Sequence, residues 1–128
     1  MGRYPVFVIA GSRTITDYGL LCRAMGRTLD AEPPFAVDVI SGGARGVDTL
    51  AERWHAEFAD GELVVMEADW DQYSFAAGPI RNQKMADAGD VLVALWDGES
   101  SGTKNMIECA VNTGLDVHVY NQRSEMII

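Results

Sequence analysis

Short segments that combine glycine with arginine and hydroxyl side chains are the parts of this sequence best suited to binding a phosphate group. The first is Gly11-Ser12-Arg13, which directly follows an apolar stretch. Glycine lets the backbone approach a ligand closely, the hydroxyl group of Ser12 can donate a hydrogen bond, and Arg13 offers a planar cationic fork that matches phosphate. Because such a tripeptide also occurs in ordinary turns, both interpretations stay open.

The second segment joins an apolar stretch to a strongly amphipathic one. It reads Ser41-Gly42-Gly43-Ala44-Arg45-Gly46-Val47-Asp48. Backbone amides at a helix N-terminus bind anions, so we expect an anion site that includes Gly42, Gly43, Arg45 and Gly46. The segment has neither the lysine of a P-loop nor the glycine spacing of a dinucleotide-binding loop. Asp48 either interacts favourably with the helix dipole or contacts a ribose hydroxyl group.

A third group of candidates surrounds the start of another predicted helix. Its members are Trp70, Tyr73, Gly78, Pro79, Arg81 and Asn82. Proline favours the first turn of a helix, so Arg81 and Asn82 are expected near the helix N-terminus and close to the same site. Trp70 and Tyr73 either stack on a base or cap the core.

The fourth segment lies between a predicted strand and the last predicted helix. Its candidate ligand-binding residues are Asp97, Ser101, Gly102 and Thr103. The hydroxyl groups are explained either by helix capping, with Ser101 or Thr103 as the N-cap, or by a second phosphate-binding loop. In the second case we expect this loop to face Gly42 and Gly43 across neighbouring strands, where the strand order of an open α/β sheet reverses.

Few residues point to catalysis, and none to a metal ion or another cofactor. Arg81 is one catalytic candidate, and Glu108 is the carboxylate of the last predicted helix that can approach the site. His55 and His118 fall inside a predicted helix and a predicted strand, so we assign them no catalytic role. The two cysteines lie far apart and form no metal-binding or disulfide motif.

Five apolar stretches of strand length must position these loops. They are Val6–Ala10, Ala36–Ser41, Leu63–Ala68, Val91–Trp96 and Val117–Tyr120. Continuous rather than alternating apolar residues are typical of strands buried on both faces of a parallel sheet, and segments with helical periodicity separate them. The sequence therefore predicts the α/β class, as an open, doubly wound parallel sheet of about five strands with helices on both faces and one domain over residues 1–128.

Three further glycines fall between a predicted helix and the strand that follows it. They are Gly61, Gly89 and Gly114. We expect each to end its helix in the left-handed conformation, which glycine adopts without strain.

The composition is that of a compact globular protein with an acidic surface. Of the 128 residues, 48% are hydrophobic and 23% are charged, and the formal net charge is −9. This charge opposes loose binding to nucleic acids or anionic membranes, so an anionic ligand must meet a local positive site. No apolar run reaches the roughly 18 residues of a membrane span, and no signal-peptide pattern is present. We therefore expect a cytoplasmic protein that does not bind membranes.

Taken together, these motifs resemble one protein superfamily. The resemblance rests on Val39–Asp48 with Ala51, on Ala77–Asn82, and on Trp96-Asp97-Gly98 with Ser101-Gly102-Thr103. Their order and spacing are similar to those of the SLOG superfamily, and most of all to its small YspA-like, YpsA-related domains of bacteria and phages. The resemblance covers almost the whole chain. It implies a Rossmann-like fold with a pocket for nucleotides or nucleotide-derived molecules at the strand ends.

One better-known branch of this superfamily implies an enzyme. The Lonely Guy phosphoribohydrolases cleave the base from a nucleoside monophosphate with an arginine and with the glutamate of a PGGxGTxxE motif. Arg81 is similar in position to that arginine, and Gly102-Thr103 resembles the GT pair. The position of the glutamate is occupied by Met106, so a hydrolase of this type would need Asp48 or Glu108 in its place.

A second branch implies nucleic-acid binding. The DprA recombination mediators have a similar Ser-Gly-x-Ala-Arg-Gly-Ile-Asp segment and a similar Arg-Asn helix start, and they bind single-stranded DNA. Such binding also requires a basic groove that follows the backbone. An acidic chain whose only lysines are Lys84 and Lys104 does not favour it.

We therefore predict a module that binds a phosphate-bearing nucleotide or nucleotide derivative, with ADP-ribose-like molecules as one class, in sensing, signalling or phage conflict. The alternatives are a nucleotide N-glycosidase and a single-stranded DNA-binding protein. The expected partner is a nucleotide-derived small molecule rather than a nucleic acid or a membrane. The apolar C-terminal residues Glu125-Met126-Ile127-Ile128 either pack on a second subunit in a homodimer or cover the core.

Overall fold

In the computed structural model, which describes residues 4–128, five parallel strands form one open sheet. The strands are β1 (Val6–Gly11), β2 (Asp38–Ser41), β3 (Leu63–Val65), β4 (Val91–Leu95) and β5 (Asp116–Tyr120). Their order is β3-β2-β1-β4-β5, with Val8 of β1 opposite Ile40 on one side and Leu92 on the other. The predicted open parallel sheet is confirmed.

Helices cover both faces of this sheet, as predicted. They are α1 (Tyr18–Thr28), α2 (Val47–Phe58), α3 (Trp70–Tyr73), α4 (Ala77–Ala88) and α5 (Ser101–Thr113), and a 3-10 turn over Ser74–Ala76 connects α3 to α4. Leu21 of α1 and Trp54 of α2 pack on one face, whereas Met85 of α4 and Met106 of α5 pack on the other. Across residues 4–128, no helix has the length and apolar character needed to cross a membrane.

Three strands are shorter than the sequence predicted, and β4 differs least, since it ends at Leu95 instead of Trp96. β2 begins at Asp38 instead of Ala36, and β3 ends at Val65 instead of Ala68. The N–H group of Met66 still donates to the carbonyl oxygen of Ser41 (2.8 Å), but β2 ends at that residue. Glu67 and Ala68 therefore have no neighbouring strand with which to pair.

The glycines that follow the helices have different roles. Gly114 has a φ of 96° and ends α5 in the left-handed conformation, as predicted. Gly89 and Gly61 do not have positive φ. They are needed for space instead, because a Cβ atom on Gly89 would lie 2.5 Å from Val8 Cγ2, and one on Gly61 would collide with the carbonyl oxygen of Val37. The prediction of a left-handed cap is wrong for these two residues.

The strand order reverses between β1 and β4, where a crevice forms at the carboxyl ends of the strands. From β1 the chain moves outward to β3, then returns to β4 on the other side of β1. Ligands of open α/β sheets bind at such a point. The sequence analysis predicted that the Gly42-Gly43 loop faces the Ser101–Thr103 loop across neighbouring strands. This prediction is wrong, because β1 lies between β2 and β4.

The C-terminal residues extend the outer edge of β5. Ile127 N–H donates to Val119 O (2.7 Å), Val119 N–H donates to Ile128 O (3.3 Å), and Met126 forms an antiparallel bridge with Tyr120. About half of the surface of Met126, Ile127 and Ile128 is exposed. This segment therefore pairs with the sheet edge instead of covering the core.

Candidate functional site

A cavity of about 750 Å³ opens at the carboxyl ends of β1 and β4. Its volume falls in the range of about 300–1,000 Å³ that is typical of small-molecule sites. Ala10, Met85 and Met106 are its most buried apolar lining residues, one from β1 and one from each of α4 and α5. The predicted site residues that line it are Gly11, Arg13, Asp48, Trp70, Gly78, Pro79, Arg81, Asn82, Asp97, Ser101, Gly102 and Thr103.

Other predicted site residues do not line the cavity. They are Ser12, Gly42, Gly43, Arg45, Gly46, Tyr73 and Glu108. Glu108, one of the two catalytic candidates, is exposed on α5, and Arg45 is exposed in its loop. Ser12 is buried beneath the cavity wall, where its N–H group donates to the carbonyl oxygen of Leu95 (3.0 Å). The fold therefore brings most of the predicted residues together but leaves Glu108 apart from them.

Asp97 connects the loop after β1 to the loop after β4. One carboxylate oxygen accepts hydrogen bonds from the N–H groups of Ser100 (2.8 Å) and Glu99 (2.9 Å), and the other accepts one from Thr14 Oγ1 (2.9 Å). The N–H group of Asp97 itself donates to Ser12 Oγ (3.1 Å). The two amide hydrogen bonds are the main reason that the pKa of Asp97 lies below its usual value. An ionised Asp97 therefore holds one rim of the cavity in place.

The N-terminus of α5 faces the cavity. Ser100, and not Ser101 or Thr103 as predicted, is its N-cap, because Ser100 Oγ accepts a hydrogen bond from the N–H group of Thr103 (3.4 Å). Ser101 and Gly102 are the first two residues of the helix, so their N–H groups have no acceptor within it. A Cβ atom on Gly102 would meet no atom within 4 Å. There is thus open space beside two N–H groups at the positive end of the helix dipole, an arrangement that suits an anion.

Two backbone N–H groups of the loop between β2 and α2 donate hydrogen bonds to side chains at the two ends of the same loop. The N–H group of Gly43 donates to Ser41 Oγ (3.2 Å), and that of Ala44 donates to Asp48 Oδ2 (3.1 Å). Gly46 has a φ of 72°, and a Cβ atom there would lie 2.7 Å from Arg13 Cα. The Gly43 amide that was predicted to hold an anion is therefore engaged within the loop, and Gly46 allows the loops after β1 and β2 to pack together.

Arg81 attaches α4 to the ends of two strands. Its Nη1 atom donates to the carbonyl oxygens of Gly42 (2.6 Å) and Met66 (3.4 Å), and its Nε atom donates to Asn82 Oδ1 (3.0 Å). Partial burial lowers the pKa of Arg81, while the charge of Asp48 raises it. Arg81 lines the cavity, but much of its hydrogen-bonding capacity is used inside the protein.

Asn82 connects α4 to α5 and is buried. Its Nδ2 atom donates to Asn105 Oδ1 (2.9 Å) and to the carbonyl oxygen of Gly102 (3.3 Å), while its Oδ1 atom accepts the hydrogen bond from Arg81. All of these residues line the cavity. Asn82 therefore fixes the position of the α5 N-terminus relative to Arg81.

Asp48 is a buried carboxylate in the cavity wall. Only 6% of its surface is exposed, and this burial raises its pKa. The N–H group of Ala44 and the charge of Arg81 act in the opposite direction. A carboxyl group with a raised pKa exchanges its proton closer to neutral pH than an ordinary one does. Asp48 is therefore the carboxylate of the cavity best suited to proton transfer.

The aromatic residues beside the cavity are exposed. Trp70 is 52% exposed and lines the cavity, whereas Tyr73 is 37% exposed and does not. Neither residue belongs to the core, so the expectation that Trp70 and Tyr73 cap the core is wrong. Phe75, which the sequence analysis did not select, is 95% exposed and also lines the cavity.

Several lining residues were not predicted. They are Ala10, Thr14, Ala44, Phe75, Met85, Glu99, Ser100, Asn105 and Met106. Thr14 and Ser100 are direct neighbours of predicted residues, and Asn105 lies one helical turn after Ser101 and hence on the same face of α5. Nothing in the sequence singles out Phe75. In the described part of the chain, no three His, Cys, Asp or Glu side chains lie close enough to hold a metal ion.

The fold is that of a Rossmann-like α/β domain, and its cavity, which has the volume of a small-molecule pocket, lies where the strand order reverses. The model of the YspA, cpYpsA-related SLOG family matches residues 5–73, just over half of the chain. The chain belongs to this family, as its motifs predicted. It is also similar to the Gene 61 protein of Mycobacterium phage D29, with 36% identity over 115 residues that cover 86% of this chain and 91% of that protein.

Proposed function

We propose that the chain acts as one domain that binds a phosphate-bearing nucleotide or nucleotide derivative, with the phosphate at the N-terminus of α5. The observation that carries this proposal is the set of residues that line the cavity at the carboxyl ends of β1 and β4. It combines the N–H groups of Ser101 and Gly102 with the guanidinium of Arg13 and the exposed ring of Trp70. Amides and arginine suit phosphate, and an exposed aromatic ring suits a base. Membership of the SLOG family supports a nucleotide-related function.

Arg13 is the cation best placed to contact the phosphate. It is exposed and lines the cavity, and within residues 4–128 its side chain forms no ion pair or hydrogen bond. Arg81, by contrast, donates a hydrogen bond to the carbonyl oxygen of Gly42. Arg13 and the dipole of α5 together supply a local positive site in a chain whose net charge is −9.

The other charged groups of the cavity fit the sugar of a nucleotide. Asp48 and Glu99 line the cavity, and their carboxylates can accept hydrogen bonds from ribose hydroxyl groups. The same negative charges oppose a chain of several phosphates. AMP and ADP-ribose are therefore better matched to the cavity than a triphosphate.

Thermal unfolding in the presence of nucleotides tests this proposal. The panel comprises AMP, ADP-ribose, NAD, a cyclic dinucleotide and a single-stranded DNA oligomer. A ligand at about 100 times its Kd adds about 2.7 kcal/mol to the stability of the folded state, enough to raise the Tm by several degrees. We expect at least one nucleotide to produce this shift.

Arg13→Ala and Arg45→Ala form a matched pair for the same experiment. Both arginines are exposed and both variants lose one positive charge, but only Arg13 lines the cavity. We expect Arg13→Ala to lose most of the ligand-induced shift and Arg45→Ala to keep it. A panel without any shift, or an equal loss in the two variants, would contradict the proposal.

A second candidate function is hydrolysis of an N-glycosidic bond, and the observation that favours it is Asp48. Its carboxylate is buried in the cavity wall with a raised pKa and lies near Arg81. In this reaction the oxygen of a water molecule bonds to the anomeric carbon as Asp48 takes the proton of the water. The bond from the anomeric carbon to the base breaks, and its electron pair remains on the base nitrogen. This nitrogen takes up the proton that Asp48 removed from the water, so Asp48 returns to its ionised form. Chromatography of AMP incubated with the protein tests this candidate. Release of adenine by the wild type but not by Asp48→Asn would support hydrolysis. If the wild type releases no adenine, AMP is excluded as a substrate.

A further inference from the structure

Residues 69–76 carry exposed aromatic side chains beside the cavity. The segment contains α3 and the 3-10 turn, and neither element has a buried residue. Trp70 is 52%, Tyr73 37% and Phe75 95% exposed. Trp70 and Phe75 line the cavity, whereas Tyr73 does not. Single exposed apolar residues are common, but two aromatic residues that are exposed together at a pocket mark a surface that binds something.

The hydrogen bonds of this segment are local. Gln72 N–H donates to Asp69 Oδ1 (3.1 Å), Tyr73 N–H donates to Asp69 O (3.0 Å), and Ser74 N–H donates to Trp70 O. Among residues 4–128, no hydrogen bond joins residues 69–76 to the sheet or to α1, α2 or α5. Apart from the N–H group of Ala77, which donates to Ser74 O at the start of α4, no hydrogen bond of the described residues resists a movement of this segment relative to the sheet, α1, α2 and α5.

The chain is fixed on both sides of the segment. Met66 donates to Ser41 O (2.8 Å) at the edge of the sheet, and Ala77 is buried at the start of α4. Between these anchors, Ser74 has a φ of 53° and a ψ of −124°, in a region that residues other than glycine rarely adopt. A return of Ser74 to a common conformation would change the direction of Phe75 relative to Trp70. Ser74 is thus placed as a hinge.

We propose that residues 69–76 form an aromatic lid that closes over a planar ring bound in the outer part of the cavity, with Phe75 covering the ring. This inference rests on the proposed function and narrows the ligand class. The ring is held against Trp70, which lies over Gly78 at the start of α4. A sugar phosphate without a base leaves the lid open, because it offers no face on which Phe75 can stack.

Isothermal titration with AMP and with ribose 5-phosphate tests the lid, because ribose 5-phosphate has the same sugar and phosphate as AMP but carries a hydroxyl group in place of the adenine ring. We expect the wild type to bind AMP more tightly. Phe75→Ala should weaken AMP binding about tenfold, within the range reported for a base stacked on an aromatic side chain, and leave ribose 5-phosphate binding unchanged. Tyr73→Ala is the matched control, because Tyr73 belongs to the same segment but does not line the cavity. It should bind both compounds as the wild type does.

Amide hydrogen exchange measures lid closure directly. We expect exchange in residues 70–76 to slow when AMP is added to the wild type, and not when ribose 5-phosphate is added. If AMP binds equally well to wild type and Phe75→Ala and exchange is unchanged, the lid is wrong and the proposed function stands. An equal loss of AMP binding in Phe75→Ala and Tyr73→Ala would also overturn the lid, since it indicates general damage to the segment. If the wild type binds neither compound, the lid and the AMP form of the proposed function both fail.

Discussion

Arg81 and Asp48 approach each other at Gly42: a Cβ atom on Gly42 would lie 2.6 Å from Arg81 Nη1 and 2.8 Å from Asp48 Oδ2. The carboxylate of Asp48 raises the pKa of Arg81, and Arg81 lowers that of Asp48, each against the effect of burial. The end of β2, the first turn of α2 and the side of α4 therefore meet at one glycine. Glycine at position 42 leaves the space that the charged groups of Arg81 and Asp48 occupy.

Gly42→Ala should destabilise the protein. The added methyl group must displace Arg81 or Asp48, and overpacking of a buried site typically costs about 1–3 kcal/mol. The displacement also disturbs the cavity wall, so we expect weaker nucleotide binding. Urea unfolding gives the change in the free energy of unfolding, and titration with AMP gives the change in affinity.

Gly26→Ala is the matched control for this substitution. Gly26 lies inside α1, where a Cβ atom would meet no atom within 4 Å. Alanine in place of a helical glycine stabilises a protein by about 0.5–1 kcal/mol. We expect the two alanine variants to change stability in opposite directions. Equal effects would mean that Gly42 is not crowded by Arg81 and Asp48.

Asp48→Asn should make the protein more stable near neutral pH. Burial raises the pKa of Asp48 above its ordinary value of 3.8, so the folded protein holds the proton more tightly than the unfolded chain does. The contribution of Asp48 to stability is therefore complete below pH 3.8 and is lost as the pH rises through the folded-state pKa. Asparagine keeps an oxygen for the Ala44 N–H group but cannot ionise. Urea unfolding over a pH series should show that the difference in the free energy of unfolding between Asp48→Asn and the wild type shrinks as the pH falls. If the variant is less stable than the wild type at neutral pH, burial of the carboxylate is not the cause of the raised pKa.

Asp97→Asn should have the opposite effect. Its hydrogen bonds, chiefly from the Ser100 and Glu99 amides, lower the pKa of Asp97 below 3.8. Its contribution to stability is then present above pH 3.8 and lost as the pH falls through the folded-state pKa. Because the carboxylate is only partly buried, we expect a loss of about 1 kcal/mol near neutral pH, which disappears in acid. The same pH series checks both variants, and a shared sign for Asp48→Asn and Asp97→Asn would show that one assigned cause is wrong.

The sheet could be predicted from sequence because its signals are local. Continuous apolar runs such as Val91–Leu95 mark buried parallel strands wherever they occur. The predicted ends of the strands were less accurate, because a strand ends where the neighbouring strand no longer pairs with it. β3 ends near Val65 because β2 has ended beside it, which the composition of Leu63–Ala68 does not reveal.

The candidate site was only partly predictable, because its details depend on contacts between distant segments. The strand order places β1 between β2 and β4, so Gly42 and Gly102 could not be paired correctly from their motifs. The Gly43 amide is used by Ser41, two residues away, and nothing in a glycine-rich motif distinguishes this from a free amide. Phe75 is exposed directly after Ser74, and the positive φ of this serine has no signal in the sequence.

Asn82→Ala should loosen the connection between α4 and α5. The substitution removes the partner of two partly buried groups, Arg81 Nε and Asn105 Oδ1, which typically costs about 1 kcal/mol or more. Lys84→Ala is the control, because Lys84 is exposed on the same helix. Urea unfolding should separate the two variants, and equal stability would mean that Asn82 does not hold the helices together.

Nucleotide binding should depend only weakly on salt. One cation, Arg13, and the neutral amides of α5 make the proposed phosphate contact, whereas a protein bound to single-stranded nucleic acid shows a slope of about −0.7 in log K against log salt for each phosphate that it contacts. We expect a slope no steeper than about −1 for AMP, and a shallower slope for Arg13→Ala. The net charge of −9 repels the backbone of a single-stranded oligomer, so we expect no measurable binding of such an oligomer at physiological salt. Tight oligomer binding with a slope of about −3 or steeper would instead favour the DNA-binding alternative, because only a row of phosphate contacts produces that dependence.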